Sequence, residues 1–243
     1  MSSIKQAARL AGFLYLVYIM ATVFASFVRG RLIVLGDAAA TAENIAASEE
    51  LFRLGFMSDV LAALLFVLSA WALYVLLKPV NNDLALLFVL LNLAGVAVQS
   101  LNMLNQLAPL LLLSGTAAFR ALPADQLQAL AMVFLEFRKN GFMIAQVFYG
   151  AWLFPLGYLV YKSGFLPRML GILLMLDCAF WLMTALQAFL LPGFDVITYV
   201  SYPLGFIAEV GLSLWLLVKG VQDQPAASLM TGRRPDTQIP ISL

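Results

Sequence analysis

Six stretches of this sequence, near residues 8–28, 51–77, 84–113, 141–162, 168–191 and 197–219, are almost continuously apolar. At 1.5 Å of rise per residue, each is long enough to cross a hydrocarbon core about 30 Å thick. A chain with six such runs must use lipid as part of its solvent. Composition agrees, with 63% hydrophobic and 11% charged residues, where a soluble domain has about 45–50% apolar and about 25% charged. The expected fold class is all-α: a polytopic membrane bundle of six transmembrane helices plus short interfacial helices. Its expected partner is the lipid bilayer. A net charge of +1 gives no basic surface for nucleic acid, and the sequence does not indicate an oligomeric state.

The connections between runs differ in kind. The first run follows Lys5 and Arg9 but is longer than a signal-peptide core and ends in FASFVRG, a poor cleavage site, so it reads as a retained helix. KPVNND (78–83) and KSGFLPR (162–168) are tight turns that join antiparallel hairpins. The longer loop from Arg29 to Glu50 contains TAENIAASEELF, where Thr41 and Ser48 offer N-caps for a short surface helix. PADQLQALAMVFLEFRKN (123–140) is amphipathic, and either lies in the interface or extends the fourth span outward. The chain thus divides into a transmembrane domain, 1–221, and a Pro-, Ser-, Thr- and Arg-rich tail, 222–243, expected to be disordered and cytoplasmic.

Six spans put both termini on one side. With the termini inside, the inner segments hold Lys5, Arg9, Lys78, Lys162, Arg168, Lys219, Arg233 and Arg234. The outer ones hold Arg29, Arg31, Arg53, Arg120, Arg138 and Lys139. The bias is modest, but the inner charges sit at the span ends, where the positive-inside rule weighs them most. The expected orientation has both termini cytoplasmic.

The residue inventory closes many chemical routes. There is no His, and Cys178 is the one cysteine, so histidine-dependent nucleophile pairs, histidine-ligated metal and haem sites and an intrachain disulfide are excluded. Cys178 reads as a small core residue. No cofactor or catalytic residue is indicated.

Polar residues inside the spans carry what remains. Asn92, Gln99, Asn102 and Gln106, with Gly95, fall within an arc of roughly 80° on the third run; Asn105 lies further round. Amides facing lipid would leave unpaired polar groups in hydrocarbon, so the stripe is expected to face the bundle interior. The first run presents Tyr15, Tyr18, Thr22 and Ser26 on one face, ending at Arg29. The second carries Asp59, the fourth Gln146 and Tyr149 after Arg138 and Lys139, the fifth Asp177 and Thr184, and the sixth Tyr202, Gly205, Glu209 and Ser213.

Two readings compete for these stripes. Amides and small residues are ordinary packing glue between membrane helices, worth about 0.6 kcal/mol per hydrogen bond on average. The acids are harder to absorb, because Asp59, Asp177 and Glu209 would each cost about 2.5–3.5 kcal/mol at mid-membrane and so need a partner, a wet cavity or a proton. Asp177 lies nine residues after Arg168 and Glu209 ten before Lys219, so both should sit roughly 13–15 Å from one surface, within reach of each other. Asp59 is expected nearer the other face, paired with Arg29, Arg53 or Arg138. The candidate ligand or proton site comprises Asp59, Asn92, Gln99, Asn102, Gln106, Arg138, Gln146, Asp177 and Glu209.

YVLLK (74–78) leading to LLFVLLN (86–92) is echoed by YLVYK (158–162) leading to GILLMLD (171–177), which aligns Asn92 with Asp177. Apolar sequence matches itself easily, so chance explains this echo better than duplication does. ARLAGFLYLVYI (8–19), RGRLIVLGDAAATAENIAASEELFRLG (29–55), ALYVLLKPVN (72–81) and GYLVYKSGFLPRMLG (157–171) resemble a bacterial family of integral membrane proteins known as a domain of unknown function. That resemblance implies a six-span protein of the bacterial cytoplasmic membrane and carries no residue roles. Three functional classes stay open. One is binding or transport of a small molecule or ion, favoured by inward acids. Another is an accessory or sensory protein with a structural polar core. The third, an intramembrane enzyme, has no GxGD or paired-aspartate motif to support it.

Overall fold

The computed structural model describes residues 3–116, 119, 121–191, 193 and 196–221. The expected tail and Arg120 lie outside the described residues. Eight helices are described: α1 (Ser3–Leu32), α2 (Ala38–Ala47), α3 (Glu49–Leu77), α4 (Asn82–Leu113), α5 (Ala124–Ala151), α6 (Leu153–Lys162), α7 (Arg168–Leu190) and α8 (Val196–Val218). Six spans result, with α5 and α6 together forming the fourth, and each is long and apolar enough to cross a membrane. The chain is a multi-pass integral membrane protein.

Local signals explain where the helices start and break. Asn81 caps α4 by accepting from the Leu84 N–H at 3.0 Å, as expected of an Asn in a tight turn. The cap of α2 is a correction: Asp37, not Thr41, accepts from the Ala40 N–H at 2.9 Å. Thr41 lies inside α2 and holds the preceding loop through the Val34 N–H and carbonyl. Ser48 does occupy the position before α3, but its side chain makes no capping bond. The fourth span is interrupted at Trp152 because Pro155 has no N–H to offer the carbonyl one turn back.

Residues 123–140 extend the fourth span rather than lying in the interface. The segment Ala124–Lys162 has 39 residues, or about 58 Å of helix, well beyond the thickness of a bilayer core. Its projecting part is supported by α2, with Leu135 joining Val28, Ile45, Phe52 and Leu110 in a small separate core.

The six spans close into a ring. α1 packs on α3, α3 on α4, α4 on α5 and α6, these on α7, α7 on α8, and α8 on α1. The half of the ring nearer the N-terminus is filled by the main core, around Tyr15, Phe66, Leu73, Phe88, Trp152, Leu156 and Leu212. The far half is not filled, because α5 packs against α4, α7 and α2 rather than against α1 or α8.

Candidate functional site

The gap beside α5 is a cavity of about 570 Å³ bounded by α1, α3, α5, α7 and α8, with Trp152 from the break between α5 and α6, within the size range typical of small-molecule sites. The polar face of α1 read from the sequence supplies one wall, through Tyr18, Thr22, Ser26 and Arg29. These positions recur every three or four residues, so one helical face delivers them all to the same side. The opposite wall is Arg138, Lys139, Phe142, Gln146 and Tyr149 on α5. Trp152, Trp181 and Glu209 close the end nearer the N-terminal side.

At the far end, four helices converge on one acid. Arg29 donates to Asp59, and its other terminal nitrogen donates to Ser26 Oγ at 3.0 Å. Gln106 Nε2 donates to the same Asp59 oxygen at 3.1 Å, and Arg138 Nε donates to Gln106 Oε1 at 2.7 Å. Asn102 Nδ2 extends the chain to the Arg138 carbonyl at 2.8 Å and to Gln99 Oε1 at 3.3 Å, while Asn105 donates to Asn102 Oδ1 at 3.1 Å. Gln99, Asn102 and Gln106 are buried, and the stripe meets polar groups on α3 and α5. A second pocket of about 50 Å³ adjoins this network between Asp59, Gln99, Arg138 and Tyr149, a polar space large enough for water.

The network joins two guanidinium groups through one carboxylate. Arg29 takes Asp59 directly, whereas the partner of Arg138 is a neutral amide. Among the described residues, Arg138 has no carboxylate in ion-pair range. Lys139 beside it is exposed and reaches Glu136 only at 4.0 Å. This end of the cavity therefore carries excess positive charge.

The other end is acidic and aromatic. Tyr15 donates to Glu209 Oε2 at 2.5 Å. Phe66 joins α3 to the floor by stacking on Tyr18 at 4.2 Å and meeting Trp152 edge-on at 4.8 Å. Asp177 is fully buried, with no hydrogen-bond partner for either oxygen. It lies against Gly205, where a Cβ would come within 3.0 Å of its Oδ1. Gly205 is one helical turn from Glu209, so Asp177 lies within about one turn of Glu209 along α8. Asp177 itself does not line the cavity.

Other expected residues fall elsewhere. Asn92 is fully buried with neither amide atom partnered, and it is not among the cavity-lining residues. Gly95 admits the Tyr149 ring, 2.5 Å from where a Cβ would stand, rather than a neighbouring backbone. Thr184 locks α7 to α8 through Ser201 Oγ at 2.6 Å, away from the cavity. The echoed hairpins match in detail: Lys78 sits over the Tyr74 ring at 5.6 Å and Lys162 over Tyr158 at 5.8 Å. Their aligned positions, Asn92 and Asp177, are both buried and unpartnered.

Arg29, Trp152 and Trp181 were not among the site residues read from the sequence. For Arg29 the signal was present, at the end of the polar face of α1. The tryptophans had no signal distinguishing them from ordinary membrane aromatics.

Residues 10–220 match the family described as a domain of unknown function, DUF4386. The chain belongs to this family. An uncharacterised protein of Archaeoglobus fulgidus is 29% identical over 160 residues, covering 66% of this chain and 80% of its own length. No solved structure matches the chain. The family assignment covers the six spans and the whole cavity. It carries no activity, and an archaeal relative means that similarity alone does not place the chain in bacteria.

Proposed function

We propose that this member of the family binds a small molecule in the far-half cavity, and moves it or reports it across the membrane. The observation that carries this reading is the distribution of unpaired charge. The amide stripe is largely spent on its own hydrogen bonds, whereas Arg138 at one end of a 570 Å³ cavity has no acid of its own among the described residues. A purely structural polar core would satisfy its groups and fill its volume, since membrane helices gain most by close packing. Glu209 gives the opposite end a carboxylate and so a direction to whatever sits between.

The proposal includes a cytoplasmic membrane of a bacterial cell, with both termini cytoplasmic, on the basic residues at the span ends. A cysteine introduced at Asn82, in a Cys178→Ser background, should then react only with reagent supplied from the cytoplasmic side. Labelling from the opposite side reverses the orientation and leaves the site unaffected. The binding claim is tested by native mass spectrometry of protein extracted from its membrane in mild detergent. The wild type should carry a retained small-molecule mass, and Ile19→Trp, which puts an indole into the cavity, should lose it. Equal spectra for the two proteins would count against a ligand in this cavity.

A further inference from the structure

The cavity is charged at one end and apolar along its side. Tyr18 and Arg29 both line it, eleven residues apart on α1, so it runs about 16 Å along that helix. That is close to half of a hydrocarbon core about 30 Å thick, the depth of one leaflet. Val23 on α1 and Phe206 on α8 line the cavity and are 53% and 58% exposed. Large apolar side chains left this open in a membrane bundle meet lipid tails rather than water, which points to a cavity open sideways to the bilayer beside α1 and α8. Ile19, Phe142, Met143 and Val210 continue this apolar lining. Arg29 lies in the last turn of α1, which puts the cationic end at the depth of lipid headgroups.

We propose that the occupant is an amphiphile with a single anionic headgroup, carboxylate or phosphate. The headgroup is held by Arg138 and Lys139, and the hydrocarbon chain runs down the cleft between α1, α5 and α8. This rests on the cavity being a ligand site. Arg29 is already neutralised by Asp59, while the Arg138 guanidinium spends only its Nε, on Gln106. Its remaining N–H groups present the planar fork that suits an oxyanion. A cationic headgroup has a weaker seat, because Glu209 already accepts from Tyr15 and Asp177 lies behind Gly205, off the cavity surface.

Trp152 and Trp181 line the cavity and serve as built-in reporters. The protein is used as Trp71→Phe with Trp215→Phe, because Trp71 is 59% exposed and Trp215 lies off the cavity, so neither would report its occupant. It is placed in phosphatidylcholine nanodiscs and titrated with three probes of one brominated 18-carbon chain, ending in carboxylate, hydroxyl or trimethylammonium. The carboxylate should quench saturably and the other two should not. Arg138→Gln and, independently, Lys139→Glu should weaken that quenching roughly tenfold or more. Lys139 is exposed, so the second variant keeps the test open even if the first fails to fold. Displacement by phosphatidylglycerol in the disc assigns the anion to a lipid phosphate; displacement by free stearate alone assigns it to a free acid, and either supports the proposal. Equal quenching by all three probes, preference for the cation, or indifference to both charge variants overturns the anionic headgroup and leaves the cavity as a ligand site. Absence of saturable quenching by any probe overturns the amphiphile, and the retained-mass comparison with Ile19→Trp then decides whether the cavity holds a ligand at all.

Discussion

At the scale of single residues, Asp59 organises the far end of the bundle. It accepts from Arg29 and from Gln106, and through Gln106 it anchors Arg138. Removing its charge leaves two partly buried guanidinium groups with no anion between them, and breaking such a pair from one side costs about 3 kcal/mol or more. Asp59→Asn should therefore lower thermal stability strongly, and adding Arg29→Gln should restore part of the loss, because the stranded cation goes with it. The check is a double-mutant cycle read by thermal unfolding in detergent; strictly additive losses would mean that the two residues are not coupled. Asp177 differs in kind. Its carboxyl is buried beside Gly205, with the Trp181 indole nitrogen near the same point and no cation paired to it among the described residues.

At the scale of elements, the spans were legible because each is fixed by its own apolar length, and the described helices end within a few residues of those limits except at the start of the fourth, which begins at Ala124 rather than at 141. The start of α2 was misplaced, since Thr41 and Asp37 are both good caps and only the docking of the loop through Thr41 decides between them. Whether 123–140 lay flat or extended α5 could not be read locally. The answer depends on α2 and Leu135 meeting in tertiary packing. The close crossing of α6 on α7 was likewise only hinted at by GYLVYKSGFLPRMLG. Gly157 and Gly171 sit so near that a Cβ on either would lie within 2.7 Å of the other's carbonyl oxygen. For the site, periodicity showed which faces were polar, and so which residues point inward. It could not show that Asp59 chooses Arg29 over Arg53, nor that α5 stands off from α1 and α8, because pairing between helices distant in sequence leaves no trace in either helix alone.

At the scale of the whole molecule, a ring of six spans holds a dense core towards the N-terminal side and an open cavity towards the far side. The dense half is built from large aromatic and aliphatic side chains meeting at the centre. The open half is where α5 leans outward onto α2, and there the buried charge is unevenly paired. Unfilled volume and an unpaired cation are each costly in a membrane bundle, and they coincide in one place, which is why a bound molecule is the central claim. The most direct measurement is an experimental structure of the protein extracted in native lipid without added ligand. The account predicts elongated non-protein density from the Arg138 guanidinium, past Phe142 and Ile19, to Trp181. A far half closed by α5 packing onto α1 and α8, with Arg138 paired to an acid of the chain and no density between, would contradict it.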